Sequence, residues 1–171
     1  IEFCKKHFKN EKIPHLFFHD SYHNFYKILD KLNINQVDGI LLDLGLSSIQ
    51  LSSSNRGFSY KKNSKLDMRF DINQKTKASN IINNFNLEEL SNIIFKYGEE
   101  RRSRYIAKKI IASRPLSTVF DLVEVIRRST PPKNRTKSLS RIFQAIRIKV
   151  NEEIEKLEKF LLSFLARLKV D

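Results

Sequence analysis

The chain is poor in cysteine and glycine, and no apolar run in it reaches the roughly 18 residues that a transmembrane helix needs. Cys4 is the only cysteine. That excludes an internal disulfide framework and fits a reducing compartment. Four glycines, Gly39, Gly45, Gly57 and Gly98, never fall into a Gly-x-Gly spacing. No signal peptide is visible. The few metal-type ligands do not form a set. His15, His19 and His23 stand four apart, but His19 ends an expected strand, so the three should not share a face. With Cys4 and His7 they show no paired spacing of a zinc finger or knuckle, and no metal is expected. Acids are nearly absent from one third of the chain. Residues 101–149 hold 14 Lys/Arg against two acids, Asp121 and Glu124, a balance of +12 within a total of +13. So local an excess is the footprint of a polyanion, here nucleic acid. A solvated helical face is the plainer alternative.

What is present is organised around Val37–Leu51. Ile40, Leu41 and Leu42 are an apolar run without polar alternation, as in a parallel strand covered on both faces. The run ends on Asp43, followed by Gly45, Ser47 and Ser48. An acid at the carboxyl end of a buried parallel strand sits where open α/β sheets bind ligands. A capped strand end would use the same acid. Gly45 allows a sharp turn or a close approach to a ligand. Upstream, Leu16–His19 reads as a short strand. Phe25, Ile28, Leu29 and Leu32 make Tyr22–Leu32 an amphipathic helix. Strand, helix, strand is one right-handed crossover of a parallel sheet.

Residues 52–77 are polar, rich in Ser, Asn and Lys, and lack periodicity, a flexible linker by composition. Residues 78–128 read as helices. Asn86 and Glu89 form a capping box, Leu87, Leu90, Ile94 and Tyr97 an apolar face, and Gly98 a helix end. Arg101–Ala112 continues with Ile106 and Ile110 inward and Arg101, Arg104 and Lys108 on one outward face. Thr118–Arg128 is a further helix, stopped by Pro131-Pro132. Lys133–Lys137 is expected as a flexible basic loop carrying Arg135 and Lys137. From Leu139 the apolar pattern keeps helical period to the end, a single helix about 45 Å long. Arg101, Arg104, Lys108, Arg135 and Lys137 are the candidate nucleic-acid-binding groups.

Five stretches, in order, carry a resemblance. They are Asp-Gly-Ile-Leu-Leu-Asp-Leu-Gly-Leu-Ser-Ser-Ile-Gln-Leu at 38–51, Arg56-Gly57-Phe58-Ser59, Leu66-Asp67-Met68-Arg69-Phe70-Asp71, Tyr97-Gly98-Glu99-Glu100-Arg101, and Arg141–Ile148 with Val150-Asn151-Glu152. Together they closely resemble the RsmH (MraW) family, S-adenosylmethionine-dependent methyltransferases acting on cytidine N4 in the 16S, small-subunit ribosomal RNA. The resemblance implies an α/β fold: a Rossmann-like (class I) methyltransferase core, incomplete here, with an inserted all-helical domain. It divides the chain into residues 1–54, part of the core, 55–140, a loop and helical insert that recognises substrate, and 141–171, a long helix returning to the core. It implies S-adenosyl-L-methionine as cofactor, with Tyr22, Asp43 and Gln50 at cofactor-contacting positions. For Tyr22 a packing role at a strand end is the alternative. It also implies an ordered loop beside the site, with Arg56, Asp67, Arg69 and Asp71 holding it or touching RNA. The small ribosomal subunit is the expected partner and the bacterial cytoplasm, or an organelle, the expected place.

The chemistry of the amine adds one expectation of its own. Asp43, Ser47 or Ser48 could accept from the cytosine N–H groups and so aim the lone pair. The departures matter too. The family's Gly-rich loop after its first strand and the acid ending its second are not in this chain. The chain begins with Ile1 and ends at Asp171 directly after an apolar helical run, so a piece of a longer enzyme, inactive alone, is expected. The rival is a non-catalytic basic RNA-binding protein derived from this fold. A DNA amino-methyltransferase fits less well, because no Pro-Pro-Tyr or Pro-Pro-Phe follows the acid.

Overall fold

Two helix starts follow their capping residues, Asn86 and Thr118, and in the computed structural model both of these capping boxes are closed. The structure describes residues 1–47, 51 and 55–169. They divide into two units, Ile1–Asp43 with Ile154–Asp171, and Leu44–Glu153.

In the first unit, α1 is Glu2–His7, acid first and bases last, which suits the helix dipole. A 3-10 turn at Tyr22–Asn24 leads into α2, Phe25–Lys31. Phe25 meets Phe160 at 5.0 Å between ring centroids, and Phe160 stacks on Phe164 at 5.4 Å. The expected strands at Leu16–His19 and Val37–Leu44 are not formed among the described residues. Val37 alone pairs, in a parallel bridge to Leu168. Its N–H donates to the Arg167 carbonyl at 2.8 Å, and the Lys169 N–H donates to its carbonyl at 3.0 Å. Ion pairs of Arg167 with Asp30 and Lys169 with Asp38 flank the bridge. An apolar run becomes a covered strand only where neighbouring strands and helices lie against it. Here Leu41 is 95% exposed. A Rossmann-like sheet is therefore not seen among the described residues.

The second unit is helical: α3 Ala78–Asn84, α4 Leu87–Gly98, α5 Ser103–Ala112, α6 Val119–Ser129 and α7 Arg135–Asn151. Asn86 Oδ1 accepts from the Glu89 amide at 2.9 Å, and Glu89 returns the bond to the Asn86 amide at 2.8 Å. Thr118 and Asp121 close the same box before α6. Helix α7 packs on α3, α4 and α6. Ile81, Leu90, Ile94, Ile106, Ile110, Leu122, Ile126, Ile142 and Ile146 are fully buried between these helices. Gly98 lets α4 lie against α7, since a Cβ there would stand 2.6 Å from the Arg141 carbonyl oxygen.

Two expectations about this region are corrected. Lys133–Lys137 is not a loop. Pro132–Asn134 is a 3-10 turn, and Arg135–Lys137 open α7. Polar composition reads as loop, yet no breaker stands between Lys133 and Leu139. Nor does one helix run from Leu139 to the end. Glu152 adopts φ 53°, in the left-handed region, and α8 begins anew at Glu153, ending at Leu161. Asn151 Nδ2 donates to the Arg147 carbonyl at 2.9 Å, and such side-chain bonds compete with the helical ladder. The Arg147 guanidinium then grips Glu153 at 2.8 and 3.0 Å across the break. Residues through Glu153 belong to the helical unit, and Ile154–Asp171 fall in the first unit with Ile1–Asp43.

Candidate nucleic-acid interface

Residues 55–77 are ordered by charge and backbone rather than by secondary structure. Arg69 clasps Asp67 with two parallel bonds of 2.8 Å and donates further to the carbonyls of Ile72 and Gln74. The fork holds the Asp67 carboxyl below the usual carboxylate range. The Arg56 guanidinium donates to the Arg69 and Phe70 carbonyls at 3.1 and 3.3 Å and lies over the Phe58 ring. Buried Asn151 ties the segment to α7: its Oδ1 accepts from the Phe70 amide at 2.7 Å and its Nδ2 donates to the Met68 carbonyl at 2.8 Å. Asp71 accepts from the Asn73 amide in a local turn. Of the two roles open to Arg56, Asp67, Arg69 and Asp71, each therefore makes loop-holding contacts. The segment delivers the Ala78 amide to the Asp67 carbonyl at 2.8 Å, which starts α3.

The expected cofactor residues are placed singly. Tyr22 is half-buried, its ring edge-on to Phe160 at 5.9 Å. Asp43 is exposed and its carboxylate meets no other described residue. Ser47 is exposed. Ser48 and Gln50 lie outside the described residues.

The basic groups fall into three kinds. Some hold the fold. Arg114 donates to the carbonyls of Ile82 and Phe85 at 2.7 and 2.5 Å, and burial lowers its pKa. Arg135 Nε donates to the Arg127 and Thr130 carbonyls at 3.2 and 3.3 Å, closing the end of α6. Arg104 and Lys108 are exposed on α5, one turn apart. Arg101 does not continue their helix, lying in the turn before it. Instead Arg101 and Lys137, expected on separate elements, line one cavity of about 480 Å³. Arg102 and Arg141 line it with them, and charge spacing alone did not mark either. Arg102 at the cap of α5, with Tyr105 and Lys109 on the helix, makes a second basic and aromatic group. Tyr105, Lys109, Phe120 and Arg127 line a neighbouring cleft of about 1200 Å³. Exposed rings among cations suit stacked, phosphate-bearing chains. Among the described residues no three His, Cys, Asp or Glu side chains gather as a metal site, and no helix is long and apolar enough to cross a membrane.

A model of the MraW methylase family matches residues 1–171. The chain is 45% identical over 148 residues to the ribosomal RNA small subunit methyltransferase H of Thermosipho africanus, which covers 84% of this chain and 51% of that protein. It is 50% identical over 127 residues to the enzyme of that name from Gloeothece citriformis, covering 72% and 42%. With that from Clostridium botulinum it shares 42% over 161 residues, covering 91% and 52%. The chain thus spans about half the length of the curated relatives it matches.

Proposed function

We propose, since this chain belongs to the MraW methylase family, that it forms the middle of a methyltransferase that uses S-adenosyl-L-methionine to methylate the N4 amine of a cytidine in 16S ribosomal RNA. The match to the family over the whole chain carries this reading. The relatives' names supply the class of RNA. The finer choice of base and atom comes from the five stretches quoted above.

The residues fit such a cofactor in one respect. Asp43 offers an exposed carboxylate that no other described residue engages, and a carboxylate accepts hydroxyl or ammonium donors. The bound sulfonium would supply an electrophilic methyl group. The chain's own part is positional. Methyl transfer to an exocyclic amine is an in-line displacement, so the amine must be held collinear with the methyl. Asp43 and Gln50 would hold the cofactor and Tyr22 its adenine. Asp43, Ser47 or Ser48 would accept from the amine N–H groups and aim the lone pair. All but Tyr22 lie on one strand-to-loop segment in sequence. A paired cytosine is out of reach, so the target base is single-stranded or flipped.

In this reading residues 1–54 belong to a class I, Rossmann-like core, and the helical unit with its +12 region holds RNA. Arg101, Arg104, Lys108, Arg135 and Lys137 would neutralise phosphates and leave base choice to the cleft. The work would be done in the cytoplasm, on the small subunit. Titration calorimetry of the full-length protein with S-adenosylmethionine tests the reading. Micromolar binding is expected. RNA binding without cofactor binding would identify the non-catalytic relative instead.

A further inference from the structure

The turn between α4 and α5 faces the first turns of α7 across the cavity of about 480 Å³. Arg101, Arg102, Lys137 and Arg141 line it with one acid, Glu100. Glu100 is 5% exposed, and both its oxygens are engaged. Oε2 accepts from Ser138 Oγ at 2.7 Å and Oε1 from the Arg102 amide at 3.1 Å. The acid thus ties α7 to the turn, and it forms no ion pair with the four cations. None of the four has an acidic partner among the described residues. Thr130, 4% exposed, lines the same cavity, and its buried Oγ1 has no hydrogen-bond partner. Buried hydroxyls are normally paired. Four unneutralised cations and a spare hydroxyl together lack one thing, an anion with several acceptor oxygens.

We propose that this pocket binds a backbone phosphate of single-stranded RNA. The neighbouring surface selects RNA among phosphate carriers. The Arg102 guanidinium lies 4.9 Å from the Tyr105 ring centroid. Tyr105 is 45% exposed and lines the adjoining cleft, as does the exposed Phe120. A nucleotide whose phosphate sits among the four cations has rings beside it on which its base can stack, and such stacking tolerates any sequence. Arg forks suit phosphate oxygens in particular. The choice of ribosomal RNA as the bound chain rests on the function proposed above; the pocket rests on its own residues.

Two double variants of the full-length protein separate the pocket from general charge. Arg101→Gln with Arg141→Gln changes the pocket, and Lys9→Gln with Lys12→Gln changes two exposed lysines outside the +12 region. Each pair removes two charges. The probe is a fluorescein-labelled single-stranded oligonucleotide of small-subunit ribosomal RNA sequence, titrated at several salt concentrations. The pocket pair is expected to bind about tenfold more weakly or worse, with a slope of log affinity against log salt shallower by roughly 0.7 for each phosphate no longer neutralised. The Lys9 and Lys12 pair is expected to keep the wild-type slope. Thr130→Val removes the unpaired hydroxyl and keeps the shape. It is expected to melt no lower than wild type and to bind RNA several-fold more weakly. An abasic oligonucleotide of equal length is expected to bind more weakly than the RNA. Equal binding of the abasic strand, equal weakening in both double variants, or wild-type affinity and slope in the pocket pair would each overturn the proposal. Methyl transfer is read separately. An inactive wild type with a working pocket would refute the proposed function alone, and an active enzyme indifferent to the pocket would refute the pocket alone.

Discussion

Asn151 is the side chain on which the ordering of residues 55–77 most depends, and replacing it should be costly. It is 1% exposed. Its Oδ1 accepts from the Phe70 amide, and its Nδ2 donates to the Met68 and Arg147 carbonyls. Asn151→Ala would leave the Phe70 N–H and the buried Met68 carbonyl without these partners. An unsatisfied buried group costs about 1–3 kcal/mol, so the variant should lose about 3 kcal/mol. For a chain of this size that lowers Tm by roughly 10 °C. Asn151→Asp keeps the acceptor for Phe70 but turns a carboxylate oxygen toward two carbonyls. It should be no more stable than the alanine variant at pH 7. Thermal unfolding followed by circular dichroism gives both values. A fall below about 2 °C in Asn151→Ala, or an Asn151→Asp protein as stable as wild type, would refute the view that this side chain clamps the loop.

Gly98→Ala should cost about 1–3 kcal/mol by overpacking, because its Cβ would meet the Arg141 carbonyl oxygen at 2.6 Å and α4 would have to move from α7; denaturant unfolding measures it. The Asp67 pKa is lowered chiefly by Arg69, so its stabilisation is present above the unfolded value near 3.9 and is lost as pH falls through the lower folded value. Asp67→Asn should accordingly be less stable at pH 7 and lose less on acidification below about pH 4, as pH-dependent melting would record. Asp43→Ala in the full-length protein should weaken S-adenosylmethionine binding by about 1.5–3 kcal/mol, the scale of a charge-assisted hydrogen bond; calorimetric affinity equal to wild type would remove Asp43 from the cofactor site.

The helical unit was legible where structure is local. Asn86 with Glu89, and the apolar steps from Leu87 to Tyr97, act within one turn of the chain, and α4 and its capping box follow them. Residues 55–77 look like a linker because the bonds that order them are not local. The Phe70 amide finds its acceptor on Asn151, across 81 positions. The same polar side chain helps end α7, and apolar periodicity cannot register a stop of that kind. Val37–Leu44 has the composition of a covered strand, but pairing is a property of neighbours, and only Val37 has one. In the candidate interface, Arg101 and Lys137 could be selected by charge alone. Their meeting in one cavity with Arg102 and Arg141 depends on how α7 crosses the α4–α5 turn. The unpaired hydroxyl of Thr130 depends on burial, which no spacing of residues announces.

The central claim is the chemistry, and the product tests it most directly. The full-length protein would be incubated with small ribosomal subunits and methyl-labelled S-adenosylmethionine. The ribosomal RNA would then be digested to nucleosides and resolved by mass spectrometry. The expected result is label in N4-methylcytidine, lost with Asp43→Ala. Label in another nucleoside, or no label from a protein that binds both RNA and cofactor, would contradict it.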